Sequence, residues 1–160
     1  MHRLSWTAPI RTPIAAAALV AAGASLELAM GRVPTCTCGV IRLWSGEVFS
    51  AENSQQLTDP YTFTHVTHGM IFYGVLRLVW LRRPFVAHLA VATMIEVLWE
   101  VAENSPLIID RYRETTVSFG YYGDSVLNSV GDVLFCIVGF CRSEEHTSEL
   151  QSHHDLVCRL

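Results

Sequence analysis

Three sets of polar residues combine the spacing of a helix face with side chains that can do chemistry. Successive members of each set are three or four positions apart, so each set forms one stripe along a helix. The sets are His65 with His68, Glu96 with Glu100 and Glu103, and Asp124 with Asn128 and Asp132. Imidazoles and carboxylates transfer protons near neutral pH, and both bind divalent cations. The pattern predicts an acid–base or metal site wherever the chain brings these stripes together.

Four apolar segments are expected to form the helices that position the stripes. The 160-residue chain is 51% hydrophobic and only 16% charged, against a usual charged share of about 25%. This balance excludes a disordered chain and a nucleic-acid binder with a basic face, and it favours a membrane protein. The predicted helices cover residues 14–30, 65–81, 85–102 and 125–141. The sequence thus predicts an all-α, polytopic membrane helix bundle of four transmembrane helices, with two extracytoplasmic loops at 32–64 and 107–123.

A water-soluble helix bundle is the alternative architecture. It requires a polar stripe on every helix, and the first apolar segment has none. That segment also has the small residues and preceding arginines of a cleaved signal peptide, but its apolar run continues to Met30, which favours a retained helix. Arginines at 3, 11, 82 and 83 place the N-terminus on the cytoplasmic side of a bacterial inner membrane. The expected partners are the lipid bilayer and further copies of the chain in a homo-oligomer, without nucleic acid.

Alternating helix directions should bring the three stripes to one face of the membrane. The histidines begin the second helix, the glutamates end the third, and the Asp/Asn set begins the fourth, while Glu27 lies late in the first. A charged carboxyl at the bilayer centre costs roughly 2.5–3.5 kcal/mol, so several unpaired ones in one bundle are unfavourable. We therefore expect them to be protonated, paired with His65 or His68, or bound to a divalent cation.

Two overlapping sets of site residues follow from this convergence. The predicted catalytic residues are Glu100, His68, Asp132 and Asn128, and the predicted metal ligands are His65, His68, Glu100, Glu103 and Asp124. Structural explanations stay open for several of them. The histidines could instead bond Asp59 or a loop carbonyl, the glutamates could pair with Arg111 or Arg113, and Asp124 could be only a helix N-cap. A further histidine, His88, is interpreted as an interfacial residue.

Two cysteines in the first long loop, Cys36 and Cys38, are separated by a single residue. This spacing is too strained for an easy mutual disulfide. Pairing with another cysteine or binding of a metal ion therefore stays open for both.

The last nineteen residues differ abruptly from the rest of the chain. Residues 142–160 read RSEEHTSELQSHHDLVCRL, which resembles the translation of a common DNA-sequencing adapter on both sides of a short index. We therefore predict that 142–160 are an assembly artefact and disordered, and that the integral membrane domain spans 1–141. A fifth helix would then be lost. A genuine acidic, His-rich tail that binds metal is the alternative.

Several long strings resemble one bacterial membrane-protein family. They are GRVPTCTCG, SAENSQQLTDPYTFTHVTHGMIFYG, EVLWEVAENSPLIIDRYRE and YYGDSVLNSVGD. The family is catalogued as uncharacterised protein family zero-three-fourteen, or domain of unknown function twenty-five eighty-five, and the resemblance covers residues 25–141. It implies a multi-pass inner-membrane protein with a further hydrophobic segment that this chain lacks. It implies no activity, cofactor or catalytic residue.

Three functions are compatible with the polar stripes. The first is a membrane-embedded enzyme that uses a divalent cation or acid–base chemistry on a lipid-like substrate. The second is a structural or assembly protein in which the cluster only locks the helices together. The third is a component of a proton-coupled transporter, in which carboxylates relay protons. The enzyme ranks slightly above the structural protein, and the transporter ranks third because so small a bundle is unusual for a complete carrier.

Overall fold

The structure is a computed structural model that describes residues 11–115 and 120–157, with side chains described for 13–115 and 120–149. Within these residues the chain forms five helices and no strand, which confirms the all-α class. The helices are α1 (Arg11–Ala29), α2 (Thr62–Val79), α3 (Phe85–Glu103), α4 (Pro106–Thr115) and α5 (Val126–Val157). The Ala-rich α1 ends where Gly31 adopts a positive φ of 83°, a conformation that suits a residue without a Cβ.

Helix α4 lies where the sequence interpretation placed only a loop. It begins at Pro106, and proline is favoured in the first turn of a helix because its fixed φ already matches helical geometry. Ile109 is buried, whereas the neighbouring Leu107 is largely exposed. The loop prediction was therefore wrong for 107–115, and the Ser105–Pro106 start signal could have corrected it.

Two helical segments among the described residues are long and apolar enough to cross a membrane, Phe85–Glu103 and Val126–Glu149. A shorter apolar helix covers Pro13–Ala29. Helix α2 is long enough but not apolar enough to be a candidate span, because its 18 residues include two histidines and three threonines. The four transmembrane helices of the sequence interpretation are therefore not confirmed, and two spans are candidates.

Polar side chains fill the interior of the bundle, while large apolar side chains cover much of its outside. Glu96 and Glu100 are 0% and 1% exposed, whereas Leu78 and Leu98 are 76% and 60% exposed. Water-soluble proteins show the opposite distribution, since charged residues are almost never fully buried unless paired. An apolar cluster is buried as well, built around Tyr73, Leu76, Leu89, Ala92 and Phe140.

Helices α2 and α5 make the most extensive contact between any two of the described helices. A Cβ on Gly69 of α2 would overlap the carbonyl of Cys136 and the amide of Phe140 on α5. A Cβ on Gly139 of α5 would likewise overlap the carbonyl of Val66. Glycine at such crossings lets two helix backbones approach directly, as in many membrane helix pairs. This contact fixes the distance between the histidines of α2 and the acids of α5.

The long loop before α2 covers the N-terminal end of α5. Amide groups of Ser125, Val126 and Leu127 donate to carbonyls of Ser54, Val33 and Pro34 at 2.9–3.1 Å. These bonds satisfy helix-start donors that would otherwise lack partners. The side chain of Asn128 also donates to the Gln56 carbonyl at 2.8 Å. The loop is thus an ordered part of the bundle that holds the start of α5 in place.

Cys36 and Cys38 form a disulfide with each other, contrary to the sequence expectation. Their Cα atoms are 5.2 Å apart, inside the usual range for a disulfide. A tight turn, in which the Gly39 amide donates to the Cys36 carbonyl at 3.2 Å, brings the two side chains together.

Helix α5 continues past residue 141 to Val157, where we expected disorder. Residues 142–157 contain no glycine or proline, and Arg142 pairs with Glu145 at 2.6 Å one turn away. Both features favour continued helix. The origin of these residues in a sequencing adapter stays a prediction.

Candidate functional site

One imidazole, that of His65, lies at the centre of a cluster contributed by three helices. Its Nδ1 is 2.6 Å from Oε1 of Glu96 and 3.3 Å from Oε1 of Glu100. Its Nε2 is 3.7 Å from Oδ2 of Asp132. The second histidine, His68, places its Nδ1 3.2 Å from the same Glu96 oxygen. The three polar stripes therefore meet, as their helical spacing and the alternation of the chain predict.

The acids of this cluster are almost completely buried. Glu96, Glu100 and Asp132 are each at most 3% exposed. Oε2 of Glu96 and Oε1 of Glu100 accept no hydrogen bond within the described part of the chain. Burying a carboxylate without a compensating proton, cation or hydrogen bond is strongly unfavourable. A further proton or cation would satisfy Oε2 of Glu96, while Oε1 of Glu100 has His65 Nδ1 as an ion-pair neighbour at 3.3 Å.

Residues around α2 fix the orientation of the cluster. Asp59 accepts the amides of Tyr61 and Thr62 at 2.8 and 3.2 Å, so its carboxylate starts the helix instead of bonding a histidine. The hydroxyl of Thr62 then donates to Asp132 at 3.1 Å. The other acceptor atom of Asp132 faces His65. The helix start and the imidazole are thereby connected through one carboxylate.

Two sets of potential metal ligands converge within the described residues around His65. One set is His65, His68 and Glu96, and the other is His65, Glu100 and Asp132, with all ligand atoms of a set within 4.8 Å of one another. Glu96 was absent from the predicted site residues. Its position four residues before Glu100, on the same stripe, is the sequence signal that could have included it.

A polar cavity of about 170 Å³ lies against this cluster. His65, His68, Asn128 and Asp132 line it, whereas Glu100 is not among its lining residues. The side chain of His68 is 33% exposed, which makes it more accessible than that of His65. Oδ1 of Asn128 makes no hydrogen bond to any residue that the structure describes. Of the predicted catalytic residues, His68, Asp132 and Asn128 can thus reach a bound molecule, while Glu100 lies behind His65.

The remaining predicted ligands, Glu103 and Asp124, also line the cavity but join neither converging ligand set. Asp124 accepts hydrogen bonds from the Tyr121 hydroxyl at 2.9 Å and the Asn104 amide at 3.1 Å. It is not the cap of α5, because Ser125 accepts the Asn128 amide at 3.2 Å. These partners hold its carboxylate on a different wall from the histidines.

His88 lies outside the site and is buried, so the interpretation of it as an interfacial residue was wrong. Its Nε2 is 3.1 Å from the carbonyl of Trp80, the residue directly after α2. The same carbonyl accepts the Arg83 amide at 3.0 Å, so the imidazole is its second hydrogen-bond partner.

Burial raises the pKa of Asp124 to about 7, and the nearby charge of Glu103 raises this pKa further. In the unfolded chain the pKa is near 3.8, so between these values the folded protein keeps a proton that the unfolded chain has lost. Stability should therefore fall as pH rises through that window, by up to about 4 kcal/mol.

We expect Asp124→Asn to reduce this pH dependence. Melting temperatures in detergent at several pH values from 4.5 to 7.5 would measure it for both proteins. The wild-type temperature should fall with rising pH more steeply than that of the variant. Equal slopes would contradict the buried, protonated Asp124.

Comparison with known proteins identifies the relatives of this chain. A family model described as "Protein of unknown function (DUF2585)" matches residues 27–152. A "UPF0314 protein" of Sphingopyxis alaskensis is 57% identical over 127 residues, which are 79% of this chain and 68% of the relative. The "UPF0314 protein" of Novosphingobium aromaticivorans is 56% identical over 71% of this chain and 60% of its own length.

A third relative, from Rhizobium johnstonii, is 53% identical over 72% of this chain and 60% of its own length. The chain thus spans about three-fifths to two-thirds of the length of these relatives. No solved structure matches it significantly. With a family model over most of its length and relatives more than 50% identical, the chain belongs to the uncharacterised bacterial family DUF2585, also named UPF0314.

Proposed function

We propose that this protein is a membrane-embedded enzyme that uses one divalent metal ion to act on the polar head of a lipid-like substrate. The observation that carries the proposal is the convergence of His65, His68 and Glu96, with an unpaired buried oxygen on Glu96, beside an open polar cavity. The inner membrane and a cytoplasmic N-terminus, suggested by arginine placement, are part of the same proposal.

The apolar outside of the bundle supports the membrane location. Two helices have the length and composition of membrane spans. Residues of α2 and α3 such as Leu78, Val79 and Leu98 expose most of their apolar surface. Contact with lipid would remove this surface from water, whereas a soluble monomer rarely exposes so much apolar area in one place.

The donor set supports a transition metal over Ca²⁺ or Mg²⁺. Calcium and magnesium prefer oxygen ligands, whereas imidazole suits zinc and iron. Two histidines and one carboxylate leave coordination positions free, as catalytic sites require. A metal ion held there would polarise a substrate oxygen or lower the pKa of a water molecule.

Other residues of the chain would then orient the ligating histidine and the substrate. Asp132 faces Nε2 of His65 and would fix its ring orientation and tautomer, as carboxylates commonly do behind a ligating histidine. Asn128 presents an unpaired oxygen on the cavity wall and would position the substrate.

The cavity, at about 170 Å³, is smaller than the roughly 300 Å³ at which sites for drug-sized ligands begin. A head group fits this space, while an acyl chain would stay in the lipid.

Metal analysis of the purified protein tests this proposal. The full chain would be purified in a non-ionic detergent, with any affinity tag removed, and its zinc, iron and manganese content measured. We expect about one transition-metal ion per chain. Absence of a stoichiometric ion would overturn the metal-dependent enzyme and favour the alternative in which the cluster only locks the helices together.

A further inference from the structure

The cavity has a second wall that the metal cluster does not use. Three tyrosines and one tryptophan form it, namely Tyr61, Tyr112, Tyr121 and Trp99. The rings of Tyr112 and Tyr121 are 5.1 Å apart and inclined by 62°, and the hydroxyls of Tyr61 and Tyr112 are 3.4 Å apart. The ring of Trp99 stands at 83° to that of His68, with the ring centres 6.2 Å apart. Aromatic faces thus surround part of a polar space.

The charged residues of the cavity wall are all acidic or histidine. Glu103, Asp124 and Asp132 line it, and no arginine does so among the described residues. Aromatic rings combined with carboxylates attract organic cations, through cation–π contacts and ordinary charge attraction. The same wall disfavours a bare phosphate or carboxylate, because it offers no basic side chain to bind one.

An unpaired polar atom provides independent evidence for a ligand. Asn128 is 1% exposed and lines the cavity. Its Nδ2 donates to the Gln56 carbonyl, while its Oδ1 has no hydrogen-bond partner within residues 11–115 and 120–157. A buried carbonyl oxygen without a donor is costly. An N–H of a primary, secondary or tertiary ammonium would satisfy it, as would a hydroxyl group next to a quaternary one.

We propose that the aromatic and acidic wall of this cavity binds an organic amine cation, such as a quaternary ammonium group. The proposal rests on the proposed function and specifies its substrate class, a lipid-like molecule with a cationic head group. The ammonium would lie against Tyr112, Tyr121 and Trp99. Its positive charge would favour the ionised forms of Asp124 and Glu103, which would then supply the opposite charge. The metal ligands on the opposite wall would then face the part of the substrate head group that adjoins the ammonium.

Calorimetric titration of the full chain in non-ionic detergent tests this proposal with choline as the probe. The neutral isostere 3,3-dimethylbutanol, which has the same shape without the charge, is the matched ligand control. We expect choline to bind at least about tenfold more tightly than the isostere. Equal or weaker binding of choline would overturn the proposal.

Paired tryptophan variants locate the binding. Trp99 and Trp44 are 51% and 48% exposed, but only Trp99 lines the cavity. Trp99→Leu should weaken choline binding about tenfold, whereas Trp44→Leu should leave it unchanged. Asp124→Asn gives a second test that does not depend on the tryptophan, with melting temperature checking the fold of each variant. Equal affinity in Trp99→Leu, Asp124→Asn and wild type would contradict the assigned wall.

Choline binding to the protein in nanodiscs distinguishes two sources of the cation, a lipid head group and a free amine. Choline binding should be weakened in discs of phosphatidylcholine, relative to phosphatidylglycerol, if a lipid head group enters the cavity. Equal choline affinity in both discs supports a free amine. Neither Trp99 nor Asp124 belongs to the metal-ligand sets around His65. Choline binding and metal content can therefore fail independently of each other.

Discussion

Glu96→Gln is expected to reduce bound transition metal from about one ion per chain to a small fraction. Glu96 provides the carboxylate shared by the two histidines, with its Oε1 2.6 Å from His65 and 3.2 Å from His68. An amide has nearly the same size but carries no charge and is a poor metal ligand. Since the variant also removes a buried charge, the loss of metal should not require loss of the fold. Elemental analysis, together with a melting curve of the same sample, would measure both.

His68→Ala should have a similar effect, because it removes the second nitrogen ligand of the set. Asp132→Asn should act more weakly. Asp132 faces His65 from behind, and such supporting carboxylates typically contribute about 10- to 100-fold to metal affinity. His88→Gln is the matched control, because among the described residues this buried imidazole bonds only the Trp80 carbonyl, which lies outside the site. Full metal content in both Glu96→Gln and His68→Ala would exclude this ligand set.

Gly69→Ala is the substitution expected to damage the fold most. The added Cβ would overlap the backbone of α5 at Cys136 and Phe140, and backbone atoms cannot move aside as the tip of a long side chain can. Overpacking of this kind typically costs about 1–3 kcal/mol. For a chain of this size we expect the melting temperature to fall by roughly 3–10 °C.

Gly74→Ala provides the control on the same helix. Outside its own helix backbone, a Cβ at Gly74 would meet no atom of the described residues within 4 Å, and alanine favours helix over glycine by about 0.5–1 kcal/mol. Its melting temperature should therefore stay equal or rise. If Gly69→Ala melted at the wild-type temperature, α2 and α5 would not be in the close contact described here. A loss of metal in Gly69→Ala would further show that this crossing sets the geometry of the site.

Helical periodicity predicted much of the arrangement without any long-range information. The spacing of His65 with His68, and of Glu96 with Glu100, depends only on residue type and position along one helix. Alternation of chain direction then predicted that the stripes would meet. Helices α3 and the start of α5 were also located closely, because each is a long apolar run bounded by Gly, Pro or Ser signals.

Local pattern could not predict which acids would face the central imidazole. The choice of Glu96 over Glu103 depends on how far α2 lies from α3 and how each is rotated, and the glycine contacts between α2 and α5 contribute to that geometry. The partners of Asp124 come from Asn104 and Tyr121, on segments whose approach no spacing reveals. The Cys36–Cys38 pairing likewise depends on one tight turn.

The sequence by itself determined four of the five described helices, the stripes and the end of the bundle at which the polar groups gather, because these follow from periodicity and chain direction. Only the tertiary structure decided the ligand set, the buried unpaired oxygens and the aromatic wall of the cavity. The physical reason is that distances of 3 Å between side chains depend on helix rotation and close packing, which arise from contacts between residues far apart in the chain.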